Sequence, residues 1–252
     1  MKTDKNSPSA SWLWIGDKFN DRNAFVLFRR EFSASKGQDI QFHISAESRY
    51  RAWINGEFLN EGPPPSHPDL MFFDTHDLKK HLRTGKNCLA VVVHMAHNPD
   101  KVQAGLWAAV TAQDGKIIDA TDTSWRCIRA PQWDPKMYFT KINAFDPNQE
   151  SYDARKVPRG WMETGFDDSK WLEPVKHGDL KAPVARPIPF MEESIRYPER
   201  IELVEECTWL KNRTRTNDLS INLSQVGRPL KYARVDDLKK LTTCRGPTII
   251  QC

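Results

Sequence analysis

Ser48 to Asp69 reads SRYRAWINGEFLNEGPPPSHPD, and its centre, Asn55-Gly56, decides the fold class. Asn-Gly between two apolar-rich segments is the strongest short-range signal of a β-hairpin. Both central residues of a type I′ turn need positive φ, which Asn tolerates and Gly favours. A two-residue turn sets the pairing: Ile54 opposite Glu57, Trp53 opposite Phe58, Ala52 opposite Leu59, Arg51 opposite Asn60, Tyr50 opposite Glu61. Side chains alternate faces along each strand. Tyr50, Ala52, Ile54 and Leu59 therefore share a core face. Arg51, Trp53, Phe58 and Asn60 share the other, as a second buried layer or a sugar-stacking platform.

Working outward, Ala24 to Phe32 and Gln41 to Ala46 alternate as strands upstream of the hairpin. Downstream of Pro63-Pro64-Pro65, Thr75 to Thr84 predicts a helical turn or two, with Gly85 as its stop. Asn87 to Met95 is a continuous apolar run, the pattern of a strand buried on both faces. Leu106 to Ala112 and Ile117 to Ala120 flank a turn at Gln113 to Lys116. Strands recurring about every ten residues, with one short helix among them, predict an all-β sandwich rather than βαβ units.

Composition bounds the function. The 252 residues are 39% hydrophobic and 28% charged, as in a globular chain large enough for one big β domain or a domain and the start of another. The net charge of +4 is dispersed, which argues against a nucleic-acid partner. No apolar run approaches the ~20 residues that span a membrane. Lys2 and Lys5 are followed by no apolar core, so the N-terminus is not read as a signal peptide. Five dispersed Cys without a CxxC pair indicate reduced thiols and a cytoplasmic setting, or an extracellular one if further sequence precedes Met1. Asn212 and Asn222 match the glycosylation pattern and are read as chance.

From 128 to 160 the chain is loop-like. Pro183, Pro187 and Pro189 predict an extended linker. Ile201 to Glu205 predicts a strand, Arg234 to Leu241 a helix and Thr248 to Ile250 a last strand. The expected layout is a flexible 1–11, a sandwich over 12–180, a Pro-rich linker over 181–200, and an incomplete second domain over 201–252.

Several motifs carry a resemblance. They are Arg51 to Gly56 with Gly62-Pro63, Asp122 to Arg126, Glu150 to Arg155 (ESYDAR), Gly160-Trp161 and Gly165 to Trp171 (GFDDSKW). In this order, over about residues 12 to 190, the chain resembles the N-terminal region of the bacterial α-L-rhamnosidase family of glycoside hydrolases. Arg186 to Phe190 looks like that family's linker. The resemblance implies an antiparallel jelly-roll β-sandwich of the galactose-binding-like kind. In the family the catalytic general acid and base belong to a downstream α/α toroid, an expected partner domain, and no acidic residue of this chain matches their motif.

Site expectations follow. Catalytic residues, a metal and a cofactor are expected to be none. Asp167-Asp168-Ser169 reads as a turn rather than a calcium site. His67, His76, His81, His94 and His97 read as structural or surface residues rather than zinc ligands. Asp17, Asn20, Asp21 and Asn23 read as a solvated loop. Cys88 and Cys127 read as small core residues. The candidate carbohydrate contacts are Arg51, Trp53, Phe58, Asn60 and Trp107, since aromatic faces beside amide and guanidinium groups suit a pyranose. Tyr152, Asp153 and Arg155 are candidates for docking another domain or locking their loop, or for contacting a ligand. The expected function is a non-catalytic accessory, carbohydrate-binding-like domain of a rhamnosidase-type hydrolase, with a rhamnoside or another carbohydrate as partner. The alternatives are a stand-alone carbohydrate-binding module or an inactive remnant of a glycosidase.

Overall fold

The structure, a computed structural model, describes residues 8–16, 23–67, 69–96, 103–134, 150–178, 180–192 and 194, with the backbone of three later strands. Contacts divide the chain into two units, Met1–Tyr138 with Glu150–Pro189, and Phe139–Gln149 with Phe190–Cys252.

The first unit is a β-sandwich. Its strands are β1 (Trp12–Trp14), β2 (Ala24–Ala34), β3 (Ile40–Glu47), β4 (Arg49–Ile54), β5 (Glu57–Gly62) and β6 (Phe72–Asp77). They continue as β7 (Gly85–Met95), β8 (Gly105–Ala112), β9 (Ile117–Ala120), β10 (Arg126–Arg129), β11 (Val175–His177) and β12 (Val184–Ala185). Among the described residues one sheet runs β11-β1-β8-β3-β6-β12 with β9 beside β8, and the facing sheet runs β10-β2-β7-β4-β5. Every pairing in them is antiparallel except β12 with β6.

Period-two alternation assigns the layers. Val26 and Phe28 of β2, Leu89, Val91 and Val93 of β7, and Tyr50, Ala52 and Ile54 of β4 meet Phe42 and Ile44 of β3 and Leu106, Ala108 and Val110 of β8 in the central core. The opposite face of β2 and β7, with Phe25, Leu27, Ala90 and Val92, is also covered, by Trp161 and Trp171 of the segment after residue 157. This second apolar layer explains why β7 is apolar at consecutive positions. A third cluster, Trp12, Met71, Phe73 and Trp107, lies on the outer side of the other sheet with Leu180 against it.

The hairpin forms around positive φ at Asn55 (52°) and Gly56 (82°). Its first two pairs are as expected, Ile54 with Glu57 and Trp53 with Phe58. The register then shifts: Ala52 pairs with Asn60, Arg51 with Glu61 and Tyr50 with Gly62. A bulge takes up Leu59, which packs against the central core, so a simple alternation count from the turn fails beyond Phe58. Asn55 does more than accept the turn. It is buried, its side chain donates to the carbonyl of His81 at 3.0 Å and to Asn87 Oδ1 at 2.9 Å, and it accepts from the Cys88 amide at 2.9 Å.

Two other expectations are corrected. Thr75, His76 and Asp77 belong to β6, and only Lys79–His81 forms a short 3-10 turn. The polar run resembled a helix, but its inward groups are satisfied within the sandwich, His43 bonding Thr75 and Tyr50 bonding Asp74. Gly85, at φ 96°, opens β7 instead of closing a helix. The expected 181–200 linker is in part a strand: the Val184 amide bonds the Met71 carbonyl at 2.9 Å, and the Arg186 amide bonds Phe73 at 3.0 Å. Pro183 and Pro187 flank the donating residues on an edge strand, where a missing N–H costs nothing.

In the second unit β13 (Leu203–Trp209) pairs antiparallel with both β14 (Val226–Ala233) and β15 (Thr248–Gln251). The expected strands at 201–205 and 248–250 fall within β13 and β15 or overlap them. The expected helix at 234–241, the glycosylation-type sites, Asp17, Asn20, Asp21 and His97 lie outside the described residues.

Candidate functional site

The outward face of the five-stranded sheet carries the features that bear on function. Arg29 projects from β2 into this layer, where it is 1% exposed. Its guanidinium donates to the carbonyls of Trp161 (3.2 Å) and Glu163 (2.9 Å) and to Glu31 (3.0 Å), pairs with Asp168, and lies 5.3 Å from the centre of the Phe166 ring. One cation thus fixes the Gly160-Trp161 and FDDSKW segments to the sheet. Asp167 closes the turn by accepting from the Ser169 amide at 3.0 Å, and Trp171 is buried. The Asp-Asp-Ser turn is therefore a turn whose second carboxylate serves Arg29. Cys88 and Cys127 are buried, and burial pushes their thiols up, to about 11 and about 12, so both stay protonated near neutrality.

The hairpin's candidate platform divides. Trp53 is half-buried, its ring 6.0 Å from Trp161 and 5.7 Å from Phe58, and it packs the covering segment onto the sheet. Phe58 is 48% exposed. Arg51 is exposed and pairs with Glu61 at 3.0 Å, and Asn60 is half-buried. Trp107 is a correction. It is 1% exposed, packed 5.4 Å from Phe73, and presents no face to a ligand. The reason is the third cluster: the sheet face that β8 turns away from the core is itself covered.

At the end of the same sheet where β2 begins and β10 finishes lies a cleft of about 600 Å³. The chain leaves β10 through Ala130, whose amide bonds the Phe25 carbonyl at 2.9 Å. It then pairs with the segment after residue 149: the Asp153 amide donates to Gln132 at 2.8 Å and the Asp134 amide to Ser151 at 3.0 Å. This brings Tyr152 and Asp153 to the cleft. Its apolar wall is a stack in which the Phe25 ring lies between His94 (3.8 Å, 6°) and Trp133 (4.5 Å, 1°). Tyr152, 52% exposed, meets Trp133 edge-on at 4.9 Å. Trp133 Nε1 donates to Glu150 at 3.0 Å. Beneath, Asn23 and Gln132 are 1% and 3% exposed, and among the described residues Asn23 Nδ2 and Gln132 Oε1 have no hydrogen-bond partner.

Arg155 grips Asp153 through Nε (2.8 Å) and Nη2 (2.9 Å), and the Asp153 carboxylate also accepts from the Arg155 amide to cap the 3-10 turn Ala154–Lys156. Those bonds hold the Asp153 carboxyl down, at about 2. The structure thus brings Tyr152 and Asp153 to the cleft, while Arg155, outside its lining and 89% exposed, pairs with Asp153. On sequence alone Trp133 and Gln132 lie in a loop-like stretch, and nothing in its pattern connects them with Phe25. The available signal was the Pro-flanked Trp133 upstream of the YDAR motif. Among the described residues no three His, Cys, Asp or Glu side chains gather as a metal site.

Two histidines give this sandwich a pH signature. His94 and His76 are lowered from 6.5 to about 4, foremost by burial and then by nearby cations, Arg49 and Arg51 for His94 and Arg186 for His76. A depressed folded value contributes stability that is present above the unfolded value and is lost as pH falls through the folded one. Burial raises the Asp74, Asp119 and Glu47 carboxyls and gives an opposing trend, so the histidine effect is read as a difference. The stability advantage of the parent over His94→Gln, measured by urea unfolding, should shrink as pH falls from about 6.5 to about 4. A pH-independent difference would contradict the assignment.

The fold and its covered sheet faces define the class: a galactose-binding-like jelly-roll β-sandwich. The α-L-rhamnosidase N-terminal domain model matches residues 36–199, more than half of the chain, and the chain belongs to that family. An α-L-rhamnosidase of Streptomyces avermitilis is 29% identical over 161 residues, covering 60% of this chain and 15% of that protein. The solved GH78 rhamnosidase of Bacillus sp. GL1 is 30% identical with a TM-score of 0.71, over 81% of this chain and 22% of that one. The α-L-rhamnosidase of Dictyoglomus thermophilum, at 20% identity and a TM-score of 0.58, shares the fold over 79% of this chain and 24% of its own. The chain therefore spans about a fifth of the length of these relatives.

Proposed function

We propose that this sandwich is a non-catalytic accessory domain of an α-L-rhamnosidase-type glycoside hydrolase, working beside a separate catalytic domain. The observation that carries this reading is the state of the carboxylates. A glycosidase needs a carboxylic acid held above its ordinary range, facing a second carboxylate across the scissile bond. In the cleft Asp153 is instead gripped by Arg155 and held down, at about 2. The buried Asp74 and the half-buried carboxylates are engaged elsewhere, Asp74 with Tyr50 and Arg186, Asp168 with Arg29, Asp119 with Arg30 and Glu47 with Ser48. The expected result is that this chain alone gives no turnover of a chromogenic α-L-rhamnoside above the uncatalysed rate. Turnover that a single substitution within the chain abolishes would overturn the reading. A second reading, a carbohydrate-binding module that acts without a catalytic partner, is favoured by the aromatic-walled cleft.

A further inference from the structure

We infer that the cleft beside Trp133 and Tyr152 is a binding site for a neutral pyranose, and that sugar is taken there rather than on the Trp53/Phe58 face of the hairpin. This deepens the carbohydrate reading above and rests on it for the class of ligand.

The reasons are chemical. A cleft of about 600 Å³ is within the ~300–1,000 Å³ common for small-molecule sites. A pyranose has an apolar C–H face and a rim of hydroxyls, so it asks for an aromatic surface beside hydrogen-bonding groups. Tyr152 offers more than half of its surface, and the Trp133 ring behind it is held by the Phe25 stack and by Glu150, so the wall is preorganised. A sugar hydroxyl both donates and accepts, and the lining offers both kinds of partner, Ser151 and Lys156 as donors and Asp134 and Asp153 as acceptors.

Charge selects the neutral class. The charged residues that line the cleft balance, Asp134 and Asp153 against Arg129 and Lys156, so the lining has no net charge to draw a phosphorylated or carboxylated ligand. The hairpin face is arranged differently: Trp53 is committed to Trp161, and Arg51 to Glu61.

The test is calorimetric titration of the full chain with methyl α-L-rhamnopyranoside and methyl α-D-glucopyranoside, with sorbitol as an open-chain polyol. Saturable heat is expected with at least one pyranoside and none with sorbitol. Tyr152→Ala should weaken binding about tenfold or more, the worth of one aromatic contact, and Tyr152→Phe should largely restore it. Tyr152 is exposed enough that both variants should melt with the parent. No saturable heat with either pyranoside, an equal response to sorbitol, or loss in Phe58→Ala with binding kept in Tyr152→Ala would overturn the inference. The hydrolysis assay separates the two readings: turnover by the chain would sink the non-catalytic role and leave this site standing, whereas absent binding without turnover would do the reverse.

Discussion

Arg29→Met should destabilise the sandwich by about 3–5 kcal/mol, the range for removing one partner from a buried ion pair. The side chain is 1% exposed, and its loss strands the carbonyls of Trp161 and Glu163 together with Glu31 and Asp168, which are 20% and 27% exposed. Methionine keeps much of the volume, so the effect isolates the charge and its five donors. Trp161 and Trp171 should then lose their fixed packing over Phe25 and Leu27, reducing near-ultraviolet dichroism. At about 2–4 °C per kcal/mol for a domain of this size, the melting temperature should fall by roughly 10 °C. Arg51→Met is the control. It breaks an exposed pair, 52% and 53% exposed, and should cost below about 1 kcal/mol. Equal losses in the two variants would show that Arg29 does not hold the covering segment.

Arg29 also marks the limit of what the sequence reveals. The strand around it was legible because Phe28 and Phe32 alternate with charged neighbours. Alternation assigned Arg29 and Glu31 to the polar side of β2, and in a two-layer protein that side is solvated. Here it is a second interior, because Trp161 and Trp171, about 130 residues later, return to cover it. No local periodicity reports a covering segment from so far along the chain. The apolar consecutive positions of β7 were the one local hint that both faces of this sheet are buried. The hairpin shows the same limit on a smaller scale. Asn55-Gly56 predicted the turn and its first two pairs, but the bulge at Leu59 answers to core packing rather than to turn chemistry.

The cleft was legible only in pieces. Tyr152 and Asp153 were recognisable from their motif, and Arg155 beside them as a salt-bridge partner. Phe25 was read as a strand residue, and Trp133 belonged to a stretch with no period. What joins them is backbone pairing of the chain after β10 with the YDAR segment, a contact between two irregular stretches. Trp107 failed for the converse reason. An aromatic at a strand position turned away from the central core looks available, and only the third cluster shows that its sheet face is occupied.

Asp74→Ala is the second change expected to be severe, at about 3–5 kcal/mol, and its effect should be local in a way that Arg29→Met is not. The Asp74 carboxylate is 0% exposed; it accepts from Tyr50 Oη at 2.5 Å and from Arg186 at 2.9 Å. Burial pushes its carboxyl up, while Tyr50 and Arg186 favour the ionised form. The cluster joins β4 through Tyr50, β6 through Asp74 and the residue after β12 through Arg186. It is also tightly packed: a Cβ at Gly62 would overlap Asp74 Oδ2 and meet Tyr50 Cε1 at 3.0 Å, so Gly62→Ala should destabilise the same corner. Without Asp74, the 12%-exposed Arg186 loses its carboxylate, and β12 relies on backbone pairing with β6, including the bonds from Val184 and Arg186. Hydrogen exchange at those two amides should therefore accelerate more than exchange along the β2–β7 pairing, whose eleven residue pairs do not depend on the cluster. Asp74→Asn should lie between alanine and the parent, since the amide oxygen still accepts from one neighbour but carries no charge for Arg186. Protection at Val184 and Arg186 that survives in Asp74→Ala would mean that backbone pairing with β6, rather than this carboxylate, holds the strand to the sandwich.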